Sequence, residues 1–137
     1  MTARFRYRVY WEDTDGGGVV YHARYLHFLE RARSDWLSAL GHSQVAMREQ
    51  NGRVFAVTAM TLDFVRPARL EDELDVLVDV QDASRARIDF VQRVERRGEE
   101  LVRATVRAAC LDAERFVPVR MPGELFTQII EARGNQK

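Results

Sequence analysis

The sequence contains few of the residues that cross-link a chain through disulfides or separate it into domains through flexible linkers. Its 137 residues include one cysteine, three prolines and eight glycines. Cys110 has no partner for an internal disulfide, which excludes a scaffold held together by disulfides. No internal repeat, low-complexity tract or Pro/Gly-rich linker interrupts the sequence, and its length is typical of one domain. We therefore predict a single domain over residues 1–137.

The chain also lacks an excess of charge and any long apolar run. Lys plus Arg and Asp plus Glu both number 21, so no global field attracts nucleic acid or anionic lipid. No apolar run approaches the length needed to cross a bilayer, and the N-terminal stretch MTARFRYRVYWED lacks the apolar core of a signal peptide. We expect a cytoplasmic protein that binds no nucleic acid and does not insert into membranes.

Hydrophobic periodicity predicts one strand followed by a long helix. Apolar and polar residues alternate at the N-terminus, which predicts a strand that ends near Glu12. The covered face of this strand comprises Phe5, Tyr7, Val9 and Trp11. From Tyr25 to Leu40 apolar residues recur at helical spacing, which predicts a helix of about five turns. A shorter helical pattern follows and stops at Asn51-Gly52.

From residue 53 onward the alternation returns in about four segments, before a short closing helix near Pro122. The inward-facing series of the third segment is Ile88, Phe90, Gln92 and Val94. Consecutive strands without intervening helices favour an antiparallel sheet wrapped around the long helix, and thus the α+β class. Apolar residues also occur on the opposite face of the strands, which favours a homo-oligomer. They are Leu77, Val91, Ala109 and Leu111.

A cluster of aspartates and glycines separates the first strand from the long helix. It comprises Asp13, Asp15 and Gly16 to Gly18, and its simplest interpretation is a polar turn. Three successive glycines cost conformational entropy that such a turn does not require, whereas close approach of a ligand to the backbone explains them. The helix start beyond them offers free N–H groups to a polarised carbonyl. An aspartate beside it has the position of a base or a nucleophile.

Other motifs fail on their spacing. A calcium loop that began at Asp13 would need a carboxylate at its twelfth position, which is Arg24. A phosphate-binding loop requires a lysine that the stretch GGGVVYH lacks. The histidines do not share a helix face as metal ligands would, so we predict no metal site. They are His22, His27 and His42. No nucleophile-elbow serine is present either.

Several stretches together carry a family resemblance that covers nearly the whole chain. They are RVYWEDTDGGGVVYHARYLHFLERAR, MTLDFVRPARLEDEL, FVQRV and VRAACLD. These stretches resemble the 4-hydroxybenzoyl-CoA thioesterase branch of hotdog-fold proteins, and within it the Tol-Pal-associated YbgC-type acyl-CoA thioesterases. The resemblance implies a long central helix wrapped by an antiparallel sheet. It also implies dimerisation through continuation of the sheet, often as a dimer of dimers (a homotetramer), and no cofactor, since coenzyme A is part of the substrate.

The resemblance assigns roles by position. Asp15 matches the catalytic carboxylate, which acts as nucleophile or as general base toward water. His22 matches the position whose backbone N–H polarises the thioester carbonyl, with Gly18 in the preceding loop. Asp13 is interpreted as structural, and Glu30, which matches a helix carboxylate of the family, ranks behind Asp15.

Substrate contacts are expected from aromatic and basic residues. Tyr21, Tyr25 and Phe55 are candidates for the wall of a pocket that binds an acyl or aroyl group. Arg85 and Arg87, in the turn ASRAR, are candidates for the cationic rim that holds the coenzyme A phosphates. Two alternatives stay open: a hotdog hydratase or dehydratase that acts on acyl thioesters, and a nonenzymatic acyl-CoA-binding protein.

Overall fold

The computed structural model describes residues 2–134, and its elements follow the predicted order of strand, helix and strands. The strands are β1 (Ala3–Arg8), β2 (Arg53–Phe64), β3 (Glu73–Ser84), β4 (Arg87–Arg96) and β5 (Glu99–Asp112). The helices are α1 (Tyr25–Ala39), α2 (Gln44–Asn51) and α3 (Gly123–Gly134). Single helical turns at Trp11–Asp13 and His22–Arg24 lie between β1 and α1.

The five strands form one sheet in the order β1-β3-β4-β5-β2. Every neighbouring pair is antiparallel, as expected for strands joined by short turns. This arrangement confirms the predicted α+β class with an antiparallel sheet and a long helix. The sheet leaves two edges, β1 on one side and β2 on the other.

Helix α1 packs on one face of the sheet because one side of the helix is apolar. Phe28, Leu29 and Ala32 are fully buried, and the Trp36 ring packs edge-on against Phe90 at 5.2 Å between centroids. Burying a side chain such as Phe28 contributes roughly 1.5–3 kcal/mol. The hydrophobic effect therefore fixes α1 across the sheet, with its first turn near the end of β2 and its last turn near the start of β2.

The N-terminal strand is shorter than predicted. It ends at Arg8, and Trp11 lies in a helical turn with 68% of its surface exposed, rather than on the covered face. The alternation of apolar residues continues past Arg8, but Asp13 Oδ2 accepts a hydrogen bond from Tyr10 N–H and turns the chain. The local hydrogen bond thus overrides the strand pattern. No helix within residues 2–134 has the length and apolarity to cross a membrane.

The two edges of the sheet differ in composition. On β1, Arg4, Arg6 and Arg8 each pair with a carboxylate of the neighbouring strand region. The exposed large apolar residues of β2 are Val57 and Phe64, which are 47% and 54% exposed. Charged edge strands resist pairing with another chain, whereas an apolar edge favours it. β2 is therefore the edge suited to a second copy.

Candidate functional site

Asp13 fixes the loop that leads into α1. Its carboxylate is 2% exposed and accepts hydrogen bonds from Arg24 Nε and Tyr10 N–H, both at 2.9 Å. Its backbone carbonyl accepts from Tyr21 N–H at 2.9 Å. A buried carboxylate with a guanidinium partner and backbone donors is fully satisfied, so it anchors the loop at both ends. These contacts agree with the structural role expected for Asp13.

Asp15 is exposed and held in one orientation by its own loop. Its Oδ1 accepts a hydrogen bond from Gly17 N–H at 2.7 Å, and its backbone N–H donates to Val19 O at 3.0 Å. The second carboxylate oxygen, Oδ2, has no hydrogen-bond partner among the described residues. An anchored carboxylate with one free oxygen is in a position to accept a proton or to attack an electrophile.

The three glycines are required by the loop itself. Gly16 and Gly18 have φ of +88° and +87°, a region that residues with a Cβ rarely adopt. A Cβ on Gly17 would lie 3.1 Å from Asp15 Oδ1 and would press on the carboxylate. Backbone geometry and the Asp15 orientation therefore account for these glycines. Close approach of a ligand is not needed to explain them.

His22 begins the helical turn that continues into α1. None of the described backbone carbonyls accepts from its N–H, as expected at the start of a helix. Its exposed ring packs against Tyr21, with 4.6 Å between ring centroids. The N–H of His22 is therefore a free donor at the positive end of the helix, seven residues after Asp15.

Tyr25 holds two parts of the chain together. It is buried, its hydroxyl accepts from Ala68 N–H at 2.9 Å, and its ring lies 5.7 Å from that of Phe64. Burial raises the pKa of the Tyr25 hydroxyl, which therefore stays protonated. Tyr25 ties the first turn of α1 to the segment between β2 and β3. The loop that contains Asp13 and Asp15 and the C-terminal end of β2 thus lie together.

A cavity of about 510 Å³ lies at the other end of α1, between α1, α2 and the first half of β2. This volume suits an acyl or aroyl group. Its lining comprises Glu30, Arg33, Ser34, Trp36, Leu37, Gln44, Val45, Met47, Arg48, Arg53, Val54, Phe55, Ala56, Val57, Ile88, Phe90 and Ala108. Of the residues expected to contact the acyl group, Phe55 is in this lining. Tyr21 and Tyr25 are not, and neither are Asp15 and His22.

The sequence did not point to one polar pair, which consists of Arg33 in the cavity wall and Gln92 beside it. Gln92 is fully buried, its Nε2 donates to Leu29 O at 3.0 Å, and its Oε1 accepts from Arg33 at 2.9 Å. Burial lowers the pKa of the Arg33 guanidinium, although Glu30 acts in the opposite direction. The signal was available, because Gln92 is the polar residue in an otherwise apolar inward-facing series.

Arg85 and Arg87 lie at the β3–β4 turn and differ in their partners. Arg87 forms ion pairs with Asp82 at 3.2 Å and Asp89 at 3.4 Å. Arg85 packs over the Phe126 ring at 5.2 Å and has no carboxylate partner among residues 2–134. Arg85 is therefore the better of the two candidates for an external phosphate. Within the described residues no cluster of three or more His, Cys, Asp or Glu is placed to hold a metal.

Comparison with known proteins gives consistent results. The thioesterase-like superfamily model matches residues 9–129. The acyl-CoA thioesterase YbgC of Haemophilus influenzae is 45% identical over 121 residues, which are 88% of this chain and 89% of that protein. The acyl-CoA thioester hydrolase YbgC of Escherichia coli is 36% identical over 130 residues, 93% of this chain and 96% of its own.

Solved structures extend the similarity to the fold. A probable thioesterase from Bartonella henselae superposes with a TM-score of 0.84 at 35% identity, covering 89% of this chain and 100% of that one. A 1,4-dihydroxy-2-naphthoyl-CoA thioesterase from Synechocystis superposes with a TM-score of 0.87 at 26% identity, covering 96% and 97%. The chain therefore belongs to the thioesterase-like superfamily, which confirms the hotdog-fold thioester hydrolase expected from the sequence.

Proposed function

We propose that the chain hydrolyses acyl-CoA thioesters, with Asp15 as the reacting carboxylate and the His22 N–H as the donor to the carbonyl oxygen. The observation that carries the proposal is that one anchored loop and the helix start directly after it present both groups with free atoms. Asp15 keeps an unpaired carboxylate oxygen, and His22 N–H is a free donor at a helix start. The YbgC relatives, named for acyl-CoA thioester hydrolysis, support the substrate class.

The chemistry has two forms that use the same geometry. As a general base, Asp15 takes a proton from water while the water oxygen attacks the thioester carbonyl carbon. As a nucleophile, the Asp15 carboxylate attacks that carbon directly, and water then hydrolyses the resulting anhydride. In both forms His22 N–H stabilises the oxyanion, and the carbon–sulfur bond breaks to release the coenzyme A thiolate. Thiolate is a good leaving group, so neither form requires a metal or a cofactor.

We further propose that two copies pair through β2 to complete the site. Asp15 and His22 lie near the end of β2, where Phe64 contacts Tyr25, whereas the cavity lies at its start. Antiparallel pairing of two β2 edges about a twofold axis sets the end of one strand beside the start of the other. The loop of one copy then faces the cavity of its partner. A dimer, or a dimer of dimers, is the assembly that fits.

Within this assembly the acyl or aroyl group occupies the cavity beside Phe55, and Arg85 is the favoured contact for the coenzyme A phosphates. Tyr21 is exposed next to His22 and is positioned to contact the thioester end of the substrate. A guanidinium without a carboxylate partner keeps its donors free for phosphate oxygens, which is why Arg85 is preferred over Arg87.

Free-thiol release from aliphatic and aromatic acyl-CoAs tests the proposal in wild type and Asp15→Asn. Asparagine retains an oxygen that accepts from Gly17 N–H, so the loop is expected to keep its conformation. The kcat is expected to fall by about 10²–10⁴-fold, because the base or nucleophile is lost. Normal kcat in a pure, folded Asp15→Asn preparation would contradict the role of Asp15. Binding without hydrolysis by wild type would instead indicate a nonenzymatic acyl-CoA-binding protein.

A further inference from the structure

The cavity contains a half-buried cation without a carboxylate partner. Arg33 lines the cavity wall on α1, and one of its N–H groups donates to Gln92 Oε1 at 2.9 Å. No carboxylate among residues 2–134 lies within 4 Å of its guanidinium. Arginines elsewhere in the fold are often ion-paired, as Arg24 is with Asp13 and Arg96 with Asp72.

Gln92 holds the Arg33 guanidinium in place but does not neutralise it. Its Nε2 is committed to Leu29 O, which fixes the side-chain amide and directs Oε1 toward Arg33. A neutral amide oxygen occupies one of the five guanidinium donors, and the others remain available. Buried charges in proteins are usually paired, because desolvation of a charge is costly. Glu30, in the same cavity wall, acts on the Arg33 charge without forming an ion pair with it. A directly bound anion is therefore expected to come from a ligand.

The surroundings of Arg33 define the shape of that ligand. The cavity walls are mainly apolar and include Phe55, Ile88 and Phe90, so they suit a hydrocarbon segment. Glu30 precedes Arg33 by about one helical turn. Glu30 is exposed and Arg33 is half-buried, so the Arg33 charge lies deeper in the cavity than the Glu30 charge. A ligand with an apolar chain and a terminal anion fits this cavity, because the chain contacts the apolar walls and the anion contacts Arg33.

We infer that the acyl group carries a terminal carboxylate that binds Arg33, so that the substrates are mono-CoA esters of dicarboxylic acids. The inference rests on the proposed function, because the thioester must lie at the partner's Asp15 while the distal carboxylate reaches Arg33. Arg33 is then a specificity-determining residue, and Gln92 is the residue that positions it.

The test compares matched substrates. Succinyl-, glutaryl-, adipoyl- and suberoyl-CoA are each paired with the analogue in which an isopropyl group replaces the terminal carboxylate. For at least one pair, wild type is expected to prefer the carboxylate in kcat/KM by about 10- to 100-fold, the range of a charge-assisted hydrogen bond. Arg33→Leu is expected to abolish that preference, mainly through KM. Arg31→Leu, an exposed arginine of α1 outside the cavity, is the matched control and is expected to retain it.

Affinity separates this inference from the proposed function. Dissociation constants for the same pairs are measured on Asp15→Asn with and without Arg33→Leu, so the selectivity is read whether or not turnover occurs. If Arg33→Leu misfolds because Gln92 loses its partner, the double variant Arg33→Leu/Gln92→Leu replaces both polar groups. Equal affinity for the two members of every pair, or a preference that persists without Arg33, would overturn the inference. Hydrolysis of the isopropyl analogues alone would overturn it while leaving the thioesterase proposal intact.

Discussion

The two ends of α1 differ in the groups that they present to a substrate: polar groups at the N-terminal end and a mainly apolar cavity at the C-terminal end. At the N-terminal end, polar groups of an anchored loop are exposed, and neither Asp15 nor His22 is in the lining of the cavity beside Phe55. At the C-terminal end, a mainly apolar cavity contains Phe55 and Arg33 but neither of the groups proposed to react. Within one chain, Asp15 and His22 are therefore separate from the cavity. If both belong to one site, as we propose, a second copy is needed to bring them together.

After Asp15→Asn, the largest effect is expected from removing the His22 N–H at the N-terminal end of α1. His22→Pro deletes that donor at a helix start, where proline is tolerated, and Tyr21 already has the extended conformation that precedes proline. We expect kcat to fall by about 10²–10³-fold, the loss typical of one oxyanion donor. His22→Ala keeps the N–H and is expected to retain most activity. Equal losses in the two variants would assign the role to the imidazole instead.

Tyr25→Phe tests whether the Tyr25 hydroxyl stabilises the N-terminal end of α1 or contacts the substrate. The variant leaves Ala68 N–H buried without its acceptor, so we expect the free energy of unfolding to fall by about 1–3 kcal/mol. The measurement is urea denaturation followed by circular dichroism, together with KM for a hydrolysed acyl-CoA. A raised KM with unchanged stability would show that the hydroxyl contacts substrate.

Gly18→Ala is expected to have the smallest effect. Its φ of +87° is unfavourable for alanine, although a Cβ at this position meets no atom within 4 Å. Backbone strain alone should lower the free energy of unfolding by about 1–2 kcal/mol. Gly123→Ala, whose φ lies outside that region and whose Cβ would also meet no atom within 4 Å, is the matched control and should lose less stability. An unchanged free energy of unfolding for Gly18→Ala would mean that the loop relaxes to another conformation.

The architecture could be predicted from the sequence because it depends on burial. Alternation of apolar residues found the strands after residue 53, and helical spacing found α1, since both patterns report which face is covered. Trp11 was assigned to the wrong environment because a hydrogen bond from Tyr10 N–H to Asp13 turns the chain after the strand. A pattern of apolar residues does not register such a local polar contact.

The candidate site could be predicted only in part. Asp15 and the His22 N–H lie close in sequence, so the motif stretch contains both of them. The cavity depends on α2, β2 and α1 meeting in space, and the Arg33–Gln92 pair is separated by 59 positions along the chain. The periodic pattern marks Gln92 as a polar residue in an apolar series, but it does not indicate that Arg33 is its partner. The Arg87–Asp82 ion pair could not be predicted either, because it depends on the register between β3 and β4.

The most direct test of a site shared between copies is complementation in a heterodimer. A chain with Asp15→Asn and a chain with Ala56→Trp, which fills the cavity, are co-expressed with different tags and purified together; each homo-oligomer should be folded and inactive. Our account predicts that the heterodimer regains thioester hydrolysis at one site, where Asp15 of the Ala56→Trp chain faces the open cavity of its partner. A folded heterodimer without activity would contradict the account, because it would mean that each chain uses its own Asp15 with its own cavity.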